Sequence, residues 1–371
     1  MFQRLDQKLD EFLALGVPWN DCVVYHKGKC VYRRVRGTLD LEGKIPAKGD
    51  EYINIYSCSK VITCTAALML YEKGLFRLTD PLSDYLPEYA EMQVKGVDGS
   101  LKKAEKPIRI IDLFRMTAGF TYDLRSPSLN RLRKETGGVA STRDFARYHA
   151  CEPLVTEPGS IWQYSLAHDV IAALVEVIAD EEFNAFCKKN IFDAVGMPCT
   201  TFLLPSSEYD AVVPHYAYNQ EGKISECSKF PVYRLGEMHA SGGAGCVSTV
   251  DDYIKFLEAL RTGGLLKNET LDLMQTDMLS EEQRRGYEDA DYGYGLGVNC
   301  PRRGSRVTDF GWGGAAGAYA MIDRKNEISA FYAQHVLASP VQPKRGEIRP
   351  IITEILCGAQ AAEGEINKIT Y

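Results

Sequence analysis

The β-rich stretches of this chain lie near its two ends, and that separation constrains the fold more than any other feature. Cys22-Val-Val-Tyr25 and Cys30-Val-Tyr-Arg33 flank His26-Lys-Gly-Lys29, a hairpin signal. Strand-like segments return only after Tyr292, at 292–298, 317–322 and 328–335, with Arg324-Lys-Asn326 as a hairpin connection between the last two. Between the two ends, from Val61 to about Gly196, the pattern is mainly helices and loops, including a helical period over 169–179. A further helix is expected over 252–260, stopped by Gly263-Gly264. Met1 to Leu15 reads as an amphipathic helix stopped by Gly16 and Pro18, and 348–362 as a closing helix. The economical solution is an α+β fold: one antiparallel sheet built from both ends of the chain, flanked by the terminal helices, with a mostly helical region inserted. The expected division is a discontinuous sheet domain, 1–60 plus 245–371, and a mostly helical domain, 61–244, with the active site between them.

Composition excludes several classes. The chain has 371 residues, 45% hydrophobic and 25% charged, which is enough for a large core in one big domain or two. Net charge is −7, so Arg33, Arg34 and Arg36 in a hairpin strand, and Arg131, Arg133 and Lys134 in a loop, read as solvated faces and not as a nucleic-acid patch. No apolar run reaches the roughly 18 residues of a membrane span, and the N-terminus lacks the apolar core of a secretory signal. A cytoplasmic protein is expected, unless a leader has been removed. The 11 cysteines are scattered without a C-x-x-C pair and read as buried, reduced thiols. There is no H-E-x-x-H and the six His are far apart in sequence, so no metal is expected. No phosphate-binding glycine loop follows a strand, since Gly293-Tyr-Gly-Leu-Gly297 has the wrong spacing, so no cofactor is expected either. A G-x-S-x-G elbow is also absent.

The chemistry-bearing candidate is Ser57-Cys-Ser-Lys60. Residues i and i+3 share a helix face, so Lys60 would sit beside Ser57. A serine hydroxyl needs a base to take its proton, and a lysine whose ammonium is disfavoured by burial can be that base. Chance supplies roughly one S-x-x-K in a chain of this length, and a second occurs at Ser100-Leu-Lys-Lys103. Context separates them. Ser100 lies in a polar run, 95–106, that reads as a solvated loop. Ser57 follows the apolar run Tyr52 to Tyr56 and precedes Val61 to Leu70, a buried helix that Gly74 ends. A helix N-cap is the structural alternative for Ser57. Cys58, without an evident His partner, reads as packing.

Three further segments bear on the same chemistry. Glu157-Pro-Gly-Ser-Ile-Trp-Gln-Tyr164 makes a turn and delivers Tyr164 just before a helix. A phenol near a cationic lysine can shuttle protons. Asp309-Phe-Gly-Trp-Gly-Gly-Ala-Ala-Gly317 leads into a strand, where glycines let a backbone N–H approach an oxyanion. In His239-Ala-Ser-Gly-Gly-Ala-Gly-Cys246 and the residues after it, Ser248 or Thr249 can cap the next helix, so that piece reads as structural.

With these pieces the chain resembles the serine β-lactamase and penicillin-binding-protein superfamily, most of all the class C β-lactamase branch with its D-aminopeptidases, transesterases and family VIII carboxylesterases. The likeness runs along nearly the whole chain. In order it includes Ser57 to Lys60, Leu78-Thr-Asp-Pro-Leu-Ser-Asp-Tyr-Leu-Pro87, Ile111-Asp-Leu-Phe-Arg-Met-Thr-Ala-Gly119, Pro158 to Ser165, Ile191-Phe-Asp-Ala-Val-Gly-Met197, Gly245 to Asp252, and Gly311 to Gly314. The resemblance implies a β-lactamase/transpeptidase-like fold. It also implies an acyl-enzyme on Ser57, with Lys60 and Tyr164 sharing general-base and general-acid duty and the N–H groups of Ser57 and Ala315 forming the oxyanion hole beside Trp312, Gly313 and Gly314.

Two departures shape the expected substrate. Leu166 stands where the β-lactamases carry the Asn of Tyr-x-Asn, which removes an amide from the substrate's side-chain carbonyl. Trp312 stands where they carry the Lys of Lys-Thr-Gly, near the antibiotic's carboxylate. The expectation is a serine hydrolase of small-molecule carboxylic esters that turns over neutral esters better than penicillins, unless a base near Arg345 or Arg349 reaches the carboxylate instead. A β-lactamase or D-amino-acid amidase is the alternative, and a non-catalytic binding protein on this fold is a third. The loops 122–137, 209–238 and 278–292, rich in Tyr and charge, are the candidates for specificity.

Overall fold

The structure, a computed structural model, describes residues 1–230, 232–287 and 289–358. The chain opens with helix α1 (Gln3–Ala14) and the hairpin β1 (Trp19–His26) and β2 (Lys29–Gly37). Lys27 and Gly28 both have positive φ, 52° and 75°, the two-residue turn whose twist suits a tight hairpin. The short strand β3 (Ile53–Asn54) leads into helix α2 (Ser59–Glu72). Helix α3 (Ala167–Ala179) lies in the helical middle of the chain. Strand β4 (Val247–Ser248) precedes helix α4 (Val250–Arg261), which Thr249 caps by accepting the N–H of Asp252. The chain then supplies β5 (Tyr319–Asp323), β6 (Ile328–Ala333) and the closing helix α5 (Ile348–Cys357). Residues 359–362 of the expected closing helix lie outside the described residues.

The two ends meet in one antiparallel sheet of order β5-β6-β1-β2. β1 pairs with β6 from Asp21 opposite Ala333 to His26 opposite Ile328. Most of β1 and all of β6 are buried, because helices cover both faces of the sheet. On one face Leu5, Leu9 and Phe12 of α1 pack with Val24, Tyr332 and Ile352. On the other, Tyr253 of α4 packs on Phe331, ring centroids 4.4 Å apart. Leu9 is fully buried, so Leu9→Ala should cost about 2–5 kcal/mol. A lower urea midpoint with unchanged kcat would show this, since the residue is far in the fold from the cleft described below.

Three local expectations are corrected. Of the three hairpin arginines only Arg36 is exposed: Arg33 is half-buried and pairs with the buried Asp21 at 2.6 Å, and Arg34 reaches Asp10 at 2.5 Å from a largely buried position. Arg131, Arg133 and Lys134 lie on a helix, Pro127–Thr136, that Ser126 caps. The polar run 95–106 holds part of a small exposed hairpin, Gln93–Lys95 with Leu101–Lys103, and Ser100 there donates to Asp98 at 2.6 Å.

Candidate active site

The approach to Ser57 is strained. Between β3 and α2 the chain turns through Tyr56 at φ 48°, a left-handed conformation costing a non-glycine residue roughly 1–2 kcal/mol. Its neighbours hold it there: Tyr56 Oη lies 3.2 Å from His215 Nε2, and its ring stands edge-on to Tyr233 at 5.6 Å. Residues outside the favoured backbone regions persist where surrounding structure fixes them, commonly at functional sites. The turn leaves Ser57 in a short 3-10 turn at the head of α2, where it makes no side-chain cap. Ser57 opens instead onto a cavity of about 490 Å³, lined also by Tyr122, Tyr164, Tyr233, Trp312 and Arg345.

The three residues singled out by their chemistry meet at one hydroxyl. Tyr164 Oη is 2.6 Å from Ser57 Oγ, and Lys60 Nζ is 3.3 Å from it. Lys60 is fully buried and donates to the Gly243 carbonyl at 2.6 Å. The Tyr164 ring is stacked with Tyr122 at 4.9 Å and with Trp312 at 6.0 Å. Lys60 Nζ lies 4.8 Å from the Tyr164 centroid and 5.3 Å from that of Tyr122, within cation–π range. Cys58 is inert packing: burial pushes its thiol up to about 12.

The Trp312-Gly-Gly segment explains its own glycines. A Cβ on Gly314 would lie 2.4 Å from the Ile55 carbonyl, so only glycine lets this segment approach the Ser57 turn so closely. A Cβ on Gly313 would lie 2.1 Å from Arg345 Nη2, so the guanidinium rests on the bare α-carbon. Arg345 also donates to the Gly314 carbonyl at 2.5 Å. The N–H groups of Ser57 and Ala315 have no protein acceptor among the described residues, and both residues line the same cavity.

Leu166 does not join this site. It sits at the N-cap of α3, only 2% exposed, and is not among the cavity-lining residues. Its N–H donates to the Thr121 carbonyl at the helix entry, and its side chain belongs to the main hydrophobic core. Two of the three candidate loops supply cavity residues, Tyr122 and Tyr233, whereas the third supplies Asp289, Asp291 and Tyr292 to a neighbouring cavity of about 470 Å³. The two cavities share Asn299 and Trp312.

The segment 239–246, read as structural, reaches into the site. β4 pairs with β3 and so anchors the segment beside the Ser57 turn. Gly242 must be glycine, since a Cβ would lie 2.5 Å from the His168 carbonyl and 2.9 Å from Thr63 and Ala172 on the facing helices. The loop thus wedges between α2 and α3 and delivers the Gly243 carbonyl to Lys60. Its repeated glycines were the visible signal. Arg345 and Gln342 had weaker ones, being ordinary polar residues before a helix. Among the described residues no cluster of three or more His, Cys, Asp or Glu could hold a metal ion, and no helix is long and apolar enough to cross a membrane.

A family model described as Beta-lactamase matches residues 5–348. The chain belongs to the beta-lactamase family. Esterase EstB of Burkholderia gladioli is 28% identical over 356 residues, covering 87% of this chain and 86% of that protein. Acyltransferase calJ of Penicillium decumbens is 28% identical over 344 residues, covering 82% and 81%. Among solved structures, EstCE1, titled a hydrolase with promiscuous acyltransferase activity, superimposes with a TM-score of 0.74 at 23% identity, covering 98% of this chain and all of that one. The fold is therefore the β-lactamase/transpeptidase-like one, and the relatives include esterases and acyltransferases of this family.

Proposed function

We propose that the protein is a serine hydrolase that forms an acyl-enzyme on Ser57 and cleaves carboxylic esters of small molecules. The observation that carries this reading is the convergence of Tyr164 Oη and Lys60 Nζ on Ser57 Oγ. The Ser57 oxygen attacks the ester carbonyl, and Lys60 and Tyr164 take its proton and return one to the leaving alcohol. The carbonyl oxygen becomes an oxyanion between the N–H groups of Ser57 and Ala315. Water then attacks the acyl-enzyme and releases the acid. The site lies between the helical region 61–244 and the sheet-bearing parts, 1–60 with 245–371, the two domains of this reading. Intact mass after treatment with a fluorophosphonate tests it directly: one adduct on wild type and none on Ser57→Ala support it, and equal labelling of both sinks it.

Arg345 refines the substrate class. Trp312 removes the cation that a β-lactamase offers at its own position, but Arg345 brings a guanidinium into the same cavity from another part of the chain. Among the described residues it pairs with no carboxylate, and burial pulls it below the ordinary arginine value. A guanidinium so placed favours an acyl group or alcohol that carries a carboxylate. Of the two expected outcomes, this reading takes the one in which a base near Arg345 reaches the carboxylate. A charge-assisted hydrogen bond is worth about 1.5–3 kcal/mol. Arg345→Met should lower the ratio of kcat/KM for mono-4-nitrophenyl glutarate over 4-nitrophenyl butyrate by roughly tenfold to a hundredfold. An unchanged ratio counts against the role. A second reading, acyl transfer to an alcohol, draws support from the cavity across Trp312, which gives an acceptor room beside the acyl-enzyme. Product analysis with added alcohol, ester formation against hydrolysis, decides between the two.

A further inference from the structure

We propose that Asp169 is a positioning residue for Lys60: it fixes the loop whose Gly243 carbonyl holds the lysine amine against Ser57, and it supplies the buried countercharge to that amine. The proposal rests on Lys60 carrying protons for Ser57.

Asp169 lies in the first turn of α3, five residues after Tyr164, and is 2% exposed. A carboxylate so deep is costly unless it is paired. No Lys, Arg or His makes a salt bridge with it among the described residues. Oδ1 accepts the Ser241 hydroxyl at 2.5 Å and the Gly243 N–H at 3.3 Å. Oδ2 has no hydrogen-bond partner among the described residues and faces the Gly243 α-carbon, where a Cβ would lie 2.4 Å away. Residue 243 is thus held from both ends. Its N–H points at Asp169 and its carbonyl accepts Lys60 Nζ at 2.6 Å.

Neutral side chains could satisfy the same loop donors. A carboxylate adds charge, and the cation it faces is one residue away. Burial raises the Asp169 carboxyl above the usual carboxylate range, and Lys60 works against that rise. Coulombic attraction in a dry interior falls off slowly with distance, so the pair is coupled without touching. Aspartate here therefore does two things: it sets where the amine sits and it places a carboxyl group beside it. The other titratable groups near Lys60 are Tyr122 and Tyr164 across the cavity, Cys58 at the head of its own helix and Cys64 one turn further on, and His168 beside it. Burial holds His168 and Cys64 neutral. Asp169 is thus the one carboxyl group in this set.

The test uses the full chain with Asp169→Asn and Ser241→Ala, following kcat and KM for 4-nitrophenyl butyrate from pH 5 to 10 and melting temperature alongside. Removing a negative charge beside the coupled Ser57, Lys60 and Tyr164 unit should move the pH profile of Asp169→Asn to lower pH by about half a unit or more. A displaced amine should also lower kcat by roughly tenfold to a hundredfold with KM little changed. Ser241→Ala keeps the charge but loosens the carboxylate, so kcat should fall severalfold without a shift of the profile. An unshifted profile for Asp169→Asn overturns the countercharge. Wild-type kcat in Ser241→Ala overturns the positioning, and that readout remains if the Asn variant does not fold. Undiminished turnover by Ser57→Ala in the same assay would instead mean that the underlying hydrolase reading has failed.

Discussion

Ser57→Ala should fold as wild type does and lose at least about a thousandfold in kcat, because removing one member of a catalytic unit typically costs orders of magnitude. The substitution takes away one oxygen and almost no volume. That oxygen's two side-chain partners keep other support: Lys60 retains the Gly243 carbonyl, and Tyr164 retains its aromatic neighbours. Melting temperature should therefore change by only a few degrees, since a typical hydrogen bond contributes about 1 kcal/mol net. Ester hydrolysis at a known enzyme concentration measures the loss. Retention of most of the activity would end the assignment of Ser57.

Lys60→Met should be nearly as damaging. It removes the amine 3.3 Å from the Ser57 oxygen and leaves Tyr164 as the sole proton carrier in contact. General acid–base catalysis is worth about a hundredfold to ten-thousandfold, and a loss of kcat within that range is expected. Methionine matches the lysine stem in length, so the core stays filled. Burst-phase kinetics separate the steps. Slow acylation with an unchanged deacylation rate assigns Lys60 to the first step alone, whereas equal loss in both assigns it to each. Acylation at the wild-type rate would remove Lys60 from the mechanism.

What could be read in the sequence followed physical locality. β1, β2, β5 and β6 were legible because runs of Val, Ile and Tyr with turn residues between them signal strands wherever they pair. The 3.6 periodicity of α3 and α4, and the Thr249 cap, were equally local. The Gln93–Lys103 hairpin was missed because its strands are largely exposed, so it shows no alternation of apolar and polar residues. Leu166 was placed in the site by its spacing from Tyr164, but spacing does not say which way a side chain turns as a helix begins. Arg345 entered only as one of two bases that could stand in for the missing lysine, because a guanidinium's destination is set by how the turn before α5 packs on Gly313 and Gly314, some thirty residues earlier. The glycines at 242 and 243 were visible, yet their reason was not: it lies in Thr63, His168 and Asp169, on two helices far away in sequence.

The sheet that joins both ends of the chain has a consequence for how the protein is made. Asp21 waits for Ala333, and Ser57 waits for Ala315. At about 5–20 residues per second, roughly 16–62 s of translation separate the first pair and roughly 13–52 s the second. Through that interval β1 has an unpaired edge, which invites association with other chains. The unfinished polypeptide also carries Ser57 and Lys60 without Ala315, which lines the same cavity as Ser57. A ribosome-bound chain stalled before residue 300 should therefore need a chaperone and, on the proposed mechanism, should not react with an ester until the segment around Ala315 has left the exit tunnel.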